Sequence, residues 1–176
     1  MAQCFFNTYN TNNADLRILL KKIIEPFAAD SLLLCLFIKT PQIVVGYLLA
    51  FYFGKNSFGV PWSPEHLNLS FFEVAPWFLD VVSNFYEPIH SFPYAFALFS
   101  GLTKIVGGIC LILGFLSRIA SFCIILLMTI FLINQDFIEF NFTFPLFFIA
   151  VSCFSLYFGS GKFGLDYLIT KRFFKP

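Results

Sequence analysis

The chain has 176 residues, of which 59% are hydrophobic, 21% aromatic and only 12% charged, and its formal net charge is +1. An ordinary soluble domain is about half apolar and about a quarter charged. A soluble fold would leave much of this apolar surface in water, at a cost of about 25 cal/mol per Å². The composition therefore excludes a disordered chain and a nucleic-acid binder, and it indicates a small integral membrane protein.

Four apolar runs predict membrane-spanning helices, because a span needs about 20 mostly apolar residues. The predicted spans cover about 41–55, 92–116, 118–134 and 142–159, with an external loop at 56–91. The triplet Lys39-Thr40-Pro41 interrupts the first run, and proline is preferred at the start of a helix. We therefore expect Pro41 to form the first turn of span one, after a lead-in segment near the interface. The predicted fold is all-α: an integral membrane four-helix bundle.

Lysine and arginine resist translocation across the membrane, so their placement predicts the orientation. The cations lie almost entirely in the two tails and in the turn between spans two and three: Arg17, Lys21, Lys22, Lys39, Arg118, Lys162, Lys171, Arg172 and Lys175. The loop from Lys55 to Ser91 and the turn after span three carry six acids, with Lys55 as the only cation. Both termini are therefore expected to be cytoplasmic.

Amphipathic segments flank the predicted bundle at both ends. Residues 1–40 form a predicted cytoplasmic tail, in which Asp15–Phe27 has leucines and isoleucines at helical spacing among cations. This helix is expected either on the inner leaflet or packed against the protein's own cytoplasmic face or a partner. A second surface helix is predicted after span four, followed by a basic tail at 171–176. Three cations there are expected to contact the membrane surface: Lys162, Lys171 and Arg172.

Two glycine-containing segments carry a resemblance to a known family. Gly101–Ala120 contains paired glycines within an apolar helix, and Gly159–Ile169 contains a glycine turn, a basic residue, an aromatic and then Leu-Asp. Both resemble the DoxX-like family of small four-helix membrane proteins, and the likeness extends over 41–170. The resemblance implies a bacterial inner (cytoplasmic) membrane and an association with membrane redox chemistry, including a subunit of thiosulfate:quinone oxidoreductase.

Lys104 is the residue to which the sequence draws most attention. It lies near the middle of span two, where a lone cation costs at least about 2.5–3.5 kcal/mol on insertion scales. It also stands where the DoxX-like family usually has an acidic residue before the paired glycines. We expect it to point into the bundle and to contact a ligand such as a quinone head group, a partner carboxylate or backbone carbonyls. The neighbouring glycines are predicted to allow close helix packing: Gly101, Gly107, Gly108 and Gly114.

Other site types receive little support from the sequence. Its five cysteines form no C-x-x-C pair, and its two histidines are far apart, so no metal site is predicted. The G-x-G-x-x-G pattern at 159–164 follows an apolar span rather than a strand, so a dinucleotide site is not predicted either. Aromatic residues in the loop 56–91 are typical of an outer interfacial helix, a lid over a ligand entrance or a docking surface.

These observations lead to one functional hypothesis and two alternatives. We expect this chain to be an accessory subunit of a larger inner-membrane complex. The candidate for that complex is a redox complex in contact with the quinone pool. The expected partners are the lipid bilayer and other membrane subunits. The sequence carries no cofactor motif, and the cofactor class that the resemblance implies is quinone. The alternatives are a catalytic subunit of a quinone-reducing oxidoreductase and, with less support, a small-molecule transporter. The sequence does not decide whether the chain is itself an enzyme.

Overall fold

The computed structural model describes residues 32–87, 89–134, 143–161 and 164–173. Within them the chain forms six main helices, two of which contain a π-helical segment. Helix α1 runs from Leu32–Tyr47 through the π-helical Leu48–Gly54 to Lys55–Ser57. Helix α3 runs in the same way from Pro93–Leu102 through the π-helical Thr103–Gly107 to Gly108–Leu113. The other four helices are α2 (Pro76–Ser83), α4 (Ser117–Asn134), α5 (Thr143–Phe158) and α6 (Leu165–Phe173). The predicted helix at Asp15–Phe27, Lys162 and the tail beyond 173 lie outside the described residues.

Among the described residues, three helical stretches are long and apolar enough to cross a membrane: Cys35–Ser57, Pro93–Leu113 and Ser117–Asn134. Helix α5 is equally apolar but has 16 described residues. The prediction of an all-α membrane protein is therefore confirmed. The fourth span remains a prediction, because residues 135–142 before α5 lie outside the described part of the chain.

The expectation that Pro41 forms the first turn of its helix is wrong. Pro41 lies inside α1 rather than at its beginning, and the helix already includes Leu32. Proline leaves a backbone carbonyl without its helical donor, but side-chain hydroxyls can compensate within membrane helices. Here the carbonyl that loses its donor is that of Phe37, four residues before Pro41. The Thr40 hydroxyl donates instead to the neighbouring Leu36 carbonyl at 2.9 Å, so it does not replace the missing donor. The run 32–40 is nevertheless part of the helix and not a separate lead-in.

The helices pack around one core in which small residues allow close contact. The π-helical segment of α1 lies against that of α3, while α4 and α5 pack side by side. The α3 helix ends at Gly114, whose φ of +65° is a left-handed conformation that glycine adopts without strain. A tight turn follows, so α3 and α4 are neighbours on the side where the chain ends. We call this end of the bundle the termini side and the opposite end the loop side.

Residues 58–92 fold back over the loop side. Phe58 and Val74 form an isolated antiparallel bridge, and the Ala75 amide donates to the Ser57 carbonyl at 3.0 Å. These contacts fix the start of α2, whose first turn begins with a proline. Phe78 and Val82 on α2 are buried, so this helix forms part of the core. The loop therefore carries an amphipathic helix whose apolar face covers the bundle.

Candidate functional site

Lys104 lies in the π-helical segment of α3 and is buried, with 7% of its surface exposed. π-Helical turns inside α-helices are rare and are frequently found at functional sites. A helical side chain leans toward the N-terminus of its own helix. In α3 that direction is the loop side, so the Lys104 ammonium reaches past the middle of the helix.

Two phenylalanine rings surround the Lys104 ammonium. The nitrogen lies 4.1 Å from the centre of the Phe78 ring and 4.9 Å from that of Phe131. A cation within about 6 Å of a ring centre is attracted by the π electrons. Among the described residues, no hydrogen-bond acceptor or carboxylate lies within bonding distance of this nitrogen. Lys104 therefore keeps the capacity to donate hydrogen bonds to another group.

The ammonium borders a cavity of about 270 Å³, to which all five helices α1–α5 contribute residues. Besides Lys104, the walls are almost entirely apolar: Phe53, Ser57, Trp77, Phe78, Val81, Met128, Phe131, Phe144, Pro145 and Phe148. The Ser57 hydroxyl already donates to the Phe53 carbonyl at 2.9 Å. Lys104 is thus the charged group of the cavity and its main source of free hydrogen-bond donors.

The cavity lies at the loop side of the bundle rather than at its centre. Phe131 is three residues before the end of α4, and Pro145 is in the first turn of α5. Helix α2 covers this end, and its Trp77 indole donates to the Asn56 carbonyl at 3.1 Å, which fastens α2 to the end of α1. The segment 58–92 thus supplies one of the two rings beside the ammonium, that of Phe78, and two further residues of the cavity wall, Trp77 and Val81.

The four predicted packing glycines lie against different neighbours. A methyl group at Gly101 would meet the Phe58 ring at 2.6 Å, and one at Gly107 would meet Ile124 at 3.3 Å. At Gly108 it would meet the Gly46 carbonyl at 2.7 Å. Gly114 lies beside the Lys39 ammonium in the turn before α4. Among these four glycines, Gly108 alone faces the backbone of another membrane-length helix, which is α1.

A second buried lysine was not singled out by the sequence analysis. Lys39 was expected near the interface, but it is only 5% exposed and its ammonium donates to the Leu111 carbonyl at 3.0 Å. The Lys39 charge also interacts with the carboxylate of Asp166, which is 3% exposed. The sequence does contain a signal for this residue, because Lys39 is a cation within an apolar run.

Asp166 joins the start of α6 to the turn between α3 and α4. Its carboxylate accepts hydrogen bonds from the Leu116 amide at 2.8 Å, the Ser117 amide at 3.2 Å and the Ser117 hydroxyl at 3.1 Å. Its own amide donates to the Gly114 carbonyl at 3.0 Å. These bonds satisfy donors at the N-terminus of α4 that have no partner inside the helix. The Leu-Asp pattern noted in the sequence is therefore a structural junction.

The remaining predicted surface residues lie on α6. Lys171 and Arg172 are exposed in its last turn, and Leu168 is exposed as well. Lys162 lies outside the described residues. Within the described residues, no cluster of three or more histidine, cysteine or acidic side chains could hold a metal ion. A larger groove, about 890 Å³, lies between α1 and Phe147, but no charged residue lines it.

A comparison with protein-family models gives a match to this chain. The DoxX family model matches residues 67–135, which include α2, α3 and α4. The match is consistent with the DoxX-like resemblance, and it contains Lys104, Phe78 and Phe131. No curated protein matches the chain significantly. No solved structure does so either.

Proposed function

We propose that the cavity around Lys104 binds the head group of a lipid-soluble carbonyl compound, with quinones as the class that fits best. The observation that carries the proposal is a buried ammonium between two aromatic rings, bordering an apolar cavity. The ammonium can donate to a carbonyl oxygen, while the aromatic walls suit a flat ring. Ligand pockets are typically about 300–1,000 Å³, so a cavity of 270 Å³ suits a head group rather than a whole isoprenoid molecule.

A quinone, when bound, would supply the capacity to accept two electrons and two protons. The residues of this chain would hold and orient it. Lys104 would donate to one carbonyl oxygen, Phe53 and Phe148 would contact the ring, and α2 would separate the site from water. Trp77, Val81 and Phe144 are apolar and partly exposed at the border of the cavity. A ligand dissolved in the bilayer would therefore meet an apolar surface there.

We further propose that the protein acts as an accessory subunit of a redox complex in a bacterial inner membrane. The DoxX-like resemblance associates such chains with membrane redox complexes. The described structure has a cavity of about 270 Å³, enough for a head group, beside the segment 58–92. In this function the chain positions a quinone next to a partner subunit that exchanges electrons with it. The exposed surface of α2, including Asp80 and Trp77, is available for such a partner.

The proposal is tested by purifying the protein from its native membrane in mild detergent. Bound quinone is extracted and measured for the wild type, for Lys104→Met and for Lys171→Met, in which an exposed lysine on α6 is changed in the same way. We expect Lys104→Met to lose at least about 90% of the quinone, since one charge-assisted hydrogen bond contributes about 1.5–3 kcal/mol. Lys171→Met should retain wild-type quinone content.

The same preparations distinguish a local loss from a general failure to fold. Methionine fills a similar volume without a buried charge, so the melting temperature of Lys104→Met should equal or exceed that of the wild type. Mass spectrometry of the preparations identifies partner subunits present in stoichiometric amount. Equal quinone content in the wild type and Lys104→Met would refute the proposed site. Reduction of quinone by the isolated chain, without partners, would favour the catalytic alternative.

The orientation is proposed from the charges and gives a separate prediction. A reporter that is active only in the cytoplasm should be active when it is fused after Met1 or after Pro176. A reporter that is active only outside the cytoplasm should be active when it is inserted after the exposed residue Asn68. The physical reason is that the cations flanking α1, α4 and α6 resist translocation. Activity of the cytoplasmic reporter at this insertion site would contradict this orientation.

A further inference from the structure

Five buried polar groups lie on the termini side of the Lys104 cavity. They belong to Gln42, Ser121, Ser152, Ser155 and Ser160, all with 0% of their surface exposed. The four hydroxyls and the Gln42 side-chain oxygen have no hydrogen-bond partner among the described residues. We call these five residues the polar track.

The helix register places the polar track beneath the cavity. Ser152 and Ser155 follow Phe148 on α5 by four and seven residues, which keeps them on the helix face that lines the cavity. At 1.5 Å per residue they lie about 6 and about 10 Å below Phe148. On α4, Ser121 precedes Met128 by seven residues and lies about 10 Å below it on the same face.

The track continues to the charged groups at the termini side. The Gln42 amide donates to the Gly159 carbonyl at 2.6 Å, and the Gly159 amide donates to the Ser155 carbonyl at 2.8 Å. A methyl group placed on Gly114 would lie 2.7 Å from both the Lys39 ammonium and the Ser160 side chain. Lys39 and Asp166 therefore lie beside one end of the track, and the residues that line the Lys104 cavity lie about 6–10 Å beyond the other end.

Polar groups without partners are costly inside a membrane protein, where bulk water cannot reach them. Buried water molecules commonly bond such groups, each making about three hydrogen bonds. We propose that the polar track binds a chain of internal water molecules, which connects the Lys39–Asp166 end of the bundle with the Lys104 cavity. Such a chain provides a route along which protons pass to and from a group held in the cavity. It goes beyond the proposed function and does not depend on which ligand Lys104 meets.

Water contact at the polar track is measured directly by solid-state NMR of the protein in lipid bilayers. Magnetisation transferred from water should reach the side chains of Ser152 and Ser155 at least about twofold faster than that of Ala150. Ala150 is the matched control because it lies on the same helix but is exposed on the outer face of the bundle. Transfer to the two serines no faster than to Ala150 would overturn the proposal.

The melting temperatures of alanine variants give a second, independent test. They should change in opposite directions for a hydrated and a dry track. If water bonds the hydroxyls, Ser152→Ala and Ser155→Ala each lower the melting temperature by a few degrees. In a dry track, removing a hydroxyl that lacks a partner leaves the melting temperature unchanged or raises it. That second result overturns the proposal. Neither measurement involves quinone, so failure of the track and failure of the Lys104 site are distinguished.

Discussion

Replacing Gly108 by alanine is expected to lower the melting temperature, although alanine is the better helix former. The added methyl group would lie 2.7 Å from the Gly46 carbonyl oxygen and 3.0 Å from the Ala50 amide nitrogen. Both are backbone atoms of α1, so only separation of α1 from α3 relieves the overlap. Overpacking of this kind costs about 1–3 kcal/mol and occasionally more. For a chain of this size that corresponds to a decrease of about 2–12 °C.

Gly107→Ala is the matched control, because the same change is made one residue earlier on the same helix. There the added methyl group would lie 3.3 Å from the end of the flexible Ile124 side chain. The intrinsic helix preference of alanine over glycine, about 1 kcal/mol, should then decide the result. We expect an unchanged or higher melting temperature. Equal decreases in both variants would show that backbone flexibility, and not contact with α1, explains these glycines.

The helical architecture could be predicted from the sequence because the bilayer imposes one structural solution on long apolar runs. A span must satisfy its backbone hydrogen bonds internally, so apolar stretches of this length become helices. The same rule explains the error at Pro41. Proline prefers the first turn of a helix, but membrane helices also tolerate it in their interior, where neighbouring helices and local adjustments satisfy the freed backbone groups.

The candidate site could be predicted only in part. Lys104 was identifiable, because a single cation in an apolar span is costly wherever it lies. Its surroundings were not, since Phe78 is 26 residues earlier and Phe131 is 27 residues later in the chain. Their convergence depends on how the loop folds over the helices. The packing also explains part of the high phenylalanine content: rings from α1, α2, α4 and α5 fill the loop side and surround the ammonium.

The second large effect is expected at Asp166. Asp166→Ala removes the acceptor of three hydrogen bonds at the turn before α4, and bonds to a charged acceptor contribute about 1.5–3 kcal/mol each. Since such losses are not fully additive, we expect a destabilisation of about 3–5 kcal/mol, or about 6–20 °C in melting temperature. Hydrogen–deuterium exchange at the Leu116 and Ser117 amides should accelerate strongly, because these are the groups that lose their acceptor.

Two further variants separate the hydrogen bonds of Asp166 from its charge. Asp166→Asn keeps one acceptor oxygen and nearly the same volume, so its melting temperature should lie between those of the wild type and Asp166→Ala. Asp166→Ala also leaves the Lys39 ammonium buried without its carboxylate. Adding Lys39→Met to Asp166→Ala should therefore recover part of the lost stability, whereas Lys39→Met in the wild type should be destabilising. Strictly additive effects of the two substitutions would show that the Lys39 and Asp166 charges do not stabilise each other.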